Sequence, residues 1–218
     1  MKLLNNVFIP SVALFSTLSG RTALSNEDVL YREQFLLEEL SEMFKAREIH
    51  DVIDAQIDFM WFAIEALYLF ENKIPKLEVE EDDSTISSIA ENFNNIDINS
   101  RTQFVIMNFL TAYSMENYAH HTSMLVRLQT IIFNAWHVFL ATCESYGIDP
   151  ELALNEVVEA NMSKFYFSKE DADKDVSERY EECEVRELDG IFAIVRKLDN
   201  KTLKAKHFKA PNWEWVYD

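Results

Sequence analysis

Glycine and proline are scarce, three and four among 218 residues. These are the residues that enter tight turns most readily, so a sandwich or barrel of many hairpins is excluded and long helices are expected. Cysteine is scarcer still. Cys143 and Cys183 provide neither a disulfide framework nor a zinc spacing, and a reduced cytoplasmic compartment is the expectation. Positive charge is also short, with 20 Lys and Arg against 38 Asp and Glu and a formal net charge of −18. A surface so negative repels phosphate backbones and anionic headgroups, so neither nucleic acid nor a membrane is an expected partner. It does not exclude a nucleotide, whose phosphates can arrive with Mg²⁺. A second way to use such charge is to mimic DNA and occupy the site of a nucleic-acid-binding protein. No window reaches the ~18 apolar residues that a membrane span needs. A glycine-rich phosphate loop, a nucleophile elbow and a zinc spacing are all missing, which removes the main phosphoryl- and acyl-transfer alternatives.

Apolar residues make up 48% of the chain and recur at helical intervals. The most informative stretch runs from Glu38 to Asp58. Glu38 and Glu42 are four apart, Glu39 and Glu42 three apart, and Asp51, Asp54 and Asp58 follow at steps of three and four. On a helix those steps stack side chains on one face. Leu36, Leu37, Leu40, Met43 and Phe44 accompany the first set; Ile53, Ile57, Met60, Trp61 and Ile64 accompany the second. Folded back as an antiparallel pair, the two helices can bring their acids together beside a common core. Acids at helical spacing are commonly just a solvated face. Against that stands Phe59–Ile64, apolar on every side as in a buried helix, with Asp54 and Asp58 immediately before it. A carboxylate drawn toward the interior needs a partner, and an all-oxygen set suits a hard cation, Mg²⁺ first and Mn²⁺ next.

The pattern Glu38-Glu39-x-x-Glu42 followed by Asp51-x-x-Asp54 resembles the all-α nucleoside triphosphate pyrophosphatase superfamily, which includes MazG-like enzymes, phosphoribosyl-ATP pyrophosphohydrolases and dimeric dUTPases. The lead-in Tyr31–Leu37 is similar to that family as well. Gly147-Ile148-Asp149-Pro150 with Ala160-Asn161-Met162-Ser163-Lys164, and Lys209-Ala210-Pro211-Asn212-Trp213, resemble two further blocks of its phosphoribosyl-ATP-pyrophosphohydrolase-like branch, many of whose members are bacterial or phage proteins. The resemblance covers roughly 28–71, 134–165 and 190–214. It implies an all-α helical bundle, here in one domain over 1–218, with a long helical insertion at 72–130 and a C-terminal extension from 166 that carries a small β-hairpin. It further implies a cytoplasmic homodimer or homotetramer that cleaves nucleoside triphosphates to monophosphate and pyrophosphate. Glu38, Glu39, Glu42, Asp51, Asp54 and Asp58 would then hold one to three Mg²⁺ ions (Mn²⁺ as the substitute), with Glu39 the candidate proton acceptor. Asn161, Lys164, Lys209, Asn212 and Trp213 would bind the substrate. Two departures stand out: the family has Glu where Asp51 lies, and its connector before that position is longer. Glu48 or Asp58 could substitute for the missing reach.

The rest of the chain reads more plainly. Lys2 with Val7–Phe15 faintly resembles a signal peptide, but Asn5, Asn6 and Pro10 interrupt it and no small-x-small site follows cleanly. An extended lead-in packed on the bundle is expected there. Ser25–Asp28 reads as a helix start, with helices expected to about Arg47 and from about His50 to Glu71. Glu78–Asp83 reads as a solvated linker, and Arg101–Tyr146 as two helices broken near His120. Adjacent His120 and His121 point about 100° apart on a helix and cannot clasp one ion as an i, i+4 pair can. His137 reads as a core imidazole; Trp61 and Trp136 read as core, with base stacking the alternative. Residues 168–187 read as loop or a short solvated helix. Ile191–Val195 and Leu203–Phe208 read as the hairpin, and the four lysines in 201–209 as a positive patch fit for a triphosphate.

Overall fold

The computed structural model describes residues 2–21, 26–77, 83–94, 124–198 and 200–217. The expected cap at Ser25, most of the acidic linker, the apolar segment 104–110, and His120 and His121 lie outside the described residues.

Helix α3, Ile49–Glu71, is the element around which the others pack. Buried side chains run around its whole circumference, from Val52 and Ile53 through Phe59, Met60 and Trp61 to Leu67. Such a helix is stable only when covered on every side. Helix α2, Asn26–Lys45, covers one side through Leu36, Leu40 and Met43, and its Phe35 stacks on Phe62 of α3 at 4.8 Å. The connector 46–48 is short because α3 opens with a capping box. The Glu48 side chain takes the Asp51 amide, and the Asp51 carboxylate takes the Glu48 amide at 3.3 Å. Asn72, with φ 51°, closes the helix in the left-handed conformation.

Helix α1, Ile9–Leu18, continues from a π-helical turn over Leu4–Phe8, and both lie on the core. Phe8 and Phe15 meet Trp61 edge-on at 5.7 and 5.3 Å. An extended lead-in is therefore not what forms. Leu4, Phe8, Val12 and Phe15 make a helical apolar stripe, and Pro10, which has no amide to donate, follows directly on the π-helical turn, where the helical hydrogen-bond ladder is already shifted. Helix α5, Met124–Tyr146, packs on another side of α3, and α4, Asp83–Asn94, packs on α5. Trp61 and Trp136 are 3% and 1% exposed, so both are core and neither is placed to stack on a base. His137 is buried too, its Nδ1 2.9 Å from the Phe133 carbonyl.

Helix α6, Pro150–Met162, starts on Asp149, whose carboxylate takes the Glu151 and Leu152 amides at 2.8 and 3.2 Å. Its end leads directly into strand β1, Phe165–Tyr166. Helix α7, Lys169–Arg179, then β2, Cys183–Leu188, and β3, Ile191–Arg196, complete a three-stranded antiparallel sheet in the order β1-β3-β2. The expected hairpin is thus displaced. β3 turns back on β2 through Asp189 and Gly190, φ 51° and 79°, a two-residue turn whose positive φ angles suit strand twist. The segment after β3 does turn back on it, antiparallel, through a bridge between Val195 and Thr202 flanked by backbone hydrogen bonds from Arg196 to Lys201 and from Leu203 to Ile194, but forms no further strand among the described residues. Residues 168–187, expected as loop or a short solvated helix, are a short helix over Lys169–Arg179 followed by a strand that was not expected. They hold a second small core around Tyr166, Ala172, Phe192 and Ile194. Beneath it Asp175 accepts hydrogen bonds from the Tyr166 hydroxyl, the Arg179 guanidinium and, at 3.0 Å, the Lys206 amide. The fold is mostly helical with a small antiparallel sheet, and no described helix is long and apolar enough to cross a membrane.

Candidate active site

Because α2 and α3 are antiparallel and tightly joined, the acids spaced along each fall beside one another. Glu39 is 7% exposed, while Asp54 and Asp58 are half-buried and Glu38, Glu42 and Asp51 are exposed. Burial pushes the Glu39 carboxyl up to about 9, reinforced by the charges of Asp58, Glu42, Glu38 and Asp54. Burial likewise pushes Asp54 up to about 7, with Asp58, Glu42 and Asp51 adding to it. Asp58 rises to about 6, again chiefly by burial; Lys164 and a hydrogen bond from Asn161 hold it back. These mutual effects mean that the six acids lie within electrostatic reach of one another. Glu39 Oε2 is buried with no hydrogen-bond partner, an uncommon state for a carboxylate oxygen.

The other side of the site is cationic. Lys164 Nζ donates to Asn161 Oδ1 at 2.5 Å and stands 5.5 Å from the centre of the Phe15 ring. Burial lowers its pKa; Asp58 opposes that, and Lys204, Arg21 and Lys201 add to the lowering. Arg21 pairs with Glu65, which is fully buried on α3, and its guanidinium lies 5.9 Å from the same Phe15 ring. Lys201 Nζ stands 6.0 Å from the ring of Phe35, one helical turn before Glu38 and Glu39.

The sequence-selected residues are distributed unevenly. Glu39, Asp54, Asp58, Asn161 and Lys164 share one locality. Asp51 is engaged at the start of α3, its carboxylate taking the Arg47 and Glu48 amides at 3.3 Å with His50 Nε2 also 3.3 Å away. Lys209 lies beside the end of α6, its amide 3.0 Å from Ser163 Oγ. The Asn212 amide donates to Glu156 at 2.8 Å, and Trp213 faces the His50 ring at 6.5 Å. The tail therefore runs along α6 toward the start of α3. The positive patch in 201–209 divides: Lys201 and Lys204 act on the acid site, whereas Lys206 pairs with Glu178 at 3.2 Å. Sequence reading missed Arg21 and Glu65 altogether, because a pair 44 residues apart leaves no local signal.

All the donors here are oxygens, and an unpartnered buried oxygen sits among them, which suits a hard divalent ion. Among the described residues, no three Asp, Glu, His or Cys side chains already form a close ligand group. No known protein family, curated protein or solved structure matches the chain.

Proposed function

We propose that the protein is a magnesium-dependent nucleoside triphosphate pyrophosphohydrolase, releasing the nucleoside monophosphate and pyrophosphate. The observation that carries this reading is the crowding of the α2 and α3 carboxylates beside the half-buried Lys164, with three of them pushed above their ordinary values. A divalent cation would replace the protons that these groups otherwise retain, and it would give Glu39 Oε2 the partner it does not have. Glu38, Glu39, Glu42, Asp54 and Asp58 would hold it, with Asp51 at the margin through its ties to the start of α3. When bound, the ion supplies an acidified water and offsets charge on the phosphate oxygens.

The chain's own groups then have separate tasks. Lys164, oriented by Asn161, meets the phosphates as a point charge; Glu39, which burial holds protonated at neutral pH, becomes a candidate acceptor for the proton of the attacking water only once a cation has drawn its own proton off. Trp213 and Asn212, at the start of α3 and along α6, would orient the nucleoside. Attack by water on the α-phosphorus breaks the α–β bond, and pyrophosphate leaves with that bond's electron pair. Assay of a panel of ribo- and deoxynucleoside triphosphates with Mg²⁺ tests the proposal. Pyrophosphate release is expected, falling at least about a hundredfold in Glu42→Gln and Asp54→Asn. Failure of every triphosphate, or full activity in both variants, overturns it.

A further inference from the structure

We infer that Arg21, Lys164, Lys201 and Lys204 form a seat for a pyrophosphate-class anion opposite the carboxylates. As the place of a substrate's phosphates, it rests on the hydrolase reading; as an anion site, it stands on its own geometry. The chain has only 20 Lys and Arg for 218 residues, yet four from distant positions are drawn to one locality. Gathering like charge costs free energy that Glu65 offsets at Arg21 and Asp58 offsets at Lys164, and an anion shared among all four would offset it further. Arg21 and Lys164 flank a single ring, at 5.9 and 5.5 Å from the centre of Phe15. Arg21 Nη2 also donates to the Asn200 carbonyl at 3.3 Å, which brings the loop after β3 to the same point. Lys201 then lies against Phe35, and Phe35 stacks on Phe62, one turn beyond Asp58. Lys164 and Lys204 are the lysines that act on Asp58, and Lys204 Nζ stands 4.5 Å from the centre of the Phe208 ring.

The loop is held firmly for a surface segment. The Arg196 amide donates to the Lys201 carbonyl at 2.9 Å and the Leu203 amide to the Ile194 carbonyl at 2.9 Å. Thr202 Oγ1 donates to Ser19 Oγ at 2.7 Å, and Arg186 reaches both the Ser19 carbonyl, at 3.1 Å, and Asn200 Oδ1, at 2.6 Å. The end of α1 and the loop backbone thus form one unit from which Arg21, Lys201 and Lys204 extend. Acids and cations gathered in one locality match the two halves of a metal–polyphosphate complex.

The test is calorimetric titration of the full chain with inorganic pyrophosphate, with Mg²⁺ and separately with a chelator in a Glu42→Gln/Asp54→Asn background. Lys201 and Lys204 are exposed, so a Lys201→Gln/Lys204→Gln protein retains its fold. It is expected to bind pyrophosphate about tenfold or more weakly than its parent in both settings, while Lys206→Gln stays within about twofold. No pyrophosphate binding to the parent, or equal affinity in the Lys201→Gln/Lys204→Gln protein, overturns the seat. Absence of hydrolysis of any triphosphate, with the effect of the two lysines on pyrophosphate binding intact, would remove the enzymatic reading and leave the anion site. Hydrolysis by a parent whose double-lysine variant binds pyrophosphate equally well would do the reverse.

Discussion

Glu39 is the residue on which the electrostatics of the molecule turn. Its carboxyl has an ordinary value of 4.5 and rises to about 9 in the fold, by burial first and by four acids after that. Asp54 and Asp58 move the same way, from 3.8 to about 7 and about 6. Over those intervals the folded chain binds more protons than the unfolded one, so stability must fall as pH rises. The contribution is complete below about pH 4 and gone by about pH 9. In a chelator, the thermal midpoint near pH 5.5 is therefore expected to exceed that near pH 8.5. Glu39→Gln should flatten this slope and raise the midpoint near pH 8.5 by at least ~2 °C, measured by calorimetry. An unchanged slope would mean that Glu39 is ionised in the folded chain. At still lower pH Asp175, held below the usual range by Arg179, reverses the trend, since its stabilisation is lost on protonation. Arg21 is the second residue whose role is calculable. Glu65 is fully buried, and Arg21→Ala takes away its guanidinium, a loss expected to cost about 3 kcal/mol in urea unfolding. Arg21→Ala/Glu65→Leu should recover most of that; an additive double variant would show that the pair is not coupled.

The helices differ in how well their contacts are satisfied, and α3 against α5 contains a clear defect. Gln56 is fully buried and donates to Thr142 Oγ1 at 3.2 Å, but its Oε1 has no hydrogen-bond partner. Thr142 already donates to the Val138 carbonyl at 2.8 Å. Gln56→Met keeps the volume and removes the unpaired oxygen, so it is expected to stabilise by about 1 kcal/mol in denaturant unfolding. A loss of more than about 1 kcal/mol would show that the amide is satisfied after all. Legibility in the sequence also divides by element. Helices α2 and α3 could be read to within two residues, because acids and apolar residues repeat at 3.6 and Glu48–Asp51 is a capping pair. The fully apolar run after Asp58 announced a helix covered on all sides, and Trp61 confirms it at 3% exposure. The π turn and α1 were hidden by Pro10, which looks like a breaker in the sequence and is carried within a continuous helix by the π turn before it. Strand β2 was hidden by its own composition: in Cys183–Leu188 the adjacent charges Arg186 and Glu187 break the alternation that marks a strand, and no face of it is buried. The candidate site was half legible. Acids four apart on one helix carry their own signature, and Lys164 and the lysines of 201–209 were named as phosphate contacts, but Arg21 comes from the end of α1 to join the loop after β3. Nothing local in sequence relates those two places.

For the whole molecule, a net charge of −18 makes the folded state compress like charge, and the acid site concentrates that compression. Two accounts of the charge make different demands. If the acids are only a solvated face, or a surface that imitates DNA, any salt relieves the repulsion by screening, and monovalent and divalent ions differ mainly through ionic strength. If α2 and α3 form a metal site, Mg²⁺ stabilises by mass action, by about 2.7 kcal/mol at a hundredfold excess over its dissociation constant. For a chain of this size that corresponds to roughly 5–10 °C in the thermal midpoint. Binding must compete with protons, because a carboxylate serves as a ligand only when ionised. With Asp54 raised to about 7 and Glu39 to about 9, the Mg²⁺ shift is expected to be large near pH 8.5 and small near pH 5.5. Sodium chloride matched in ionic strength should reproduce little of it at either pH. The Glu42→Gln/Asp54→Asn chain should lose the magnesium increment while it keeps the response to sodium chloride. Equal shifts with both salts, or a magnesium effect independent of pH, would return the acids to the role of a solvated face.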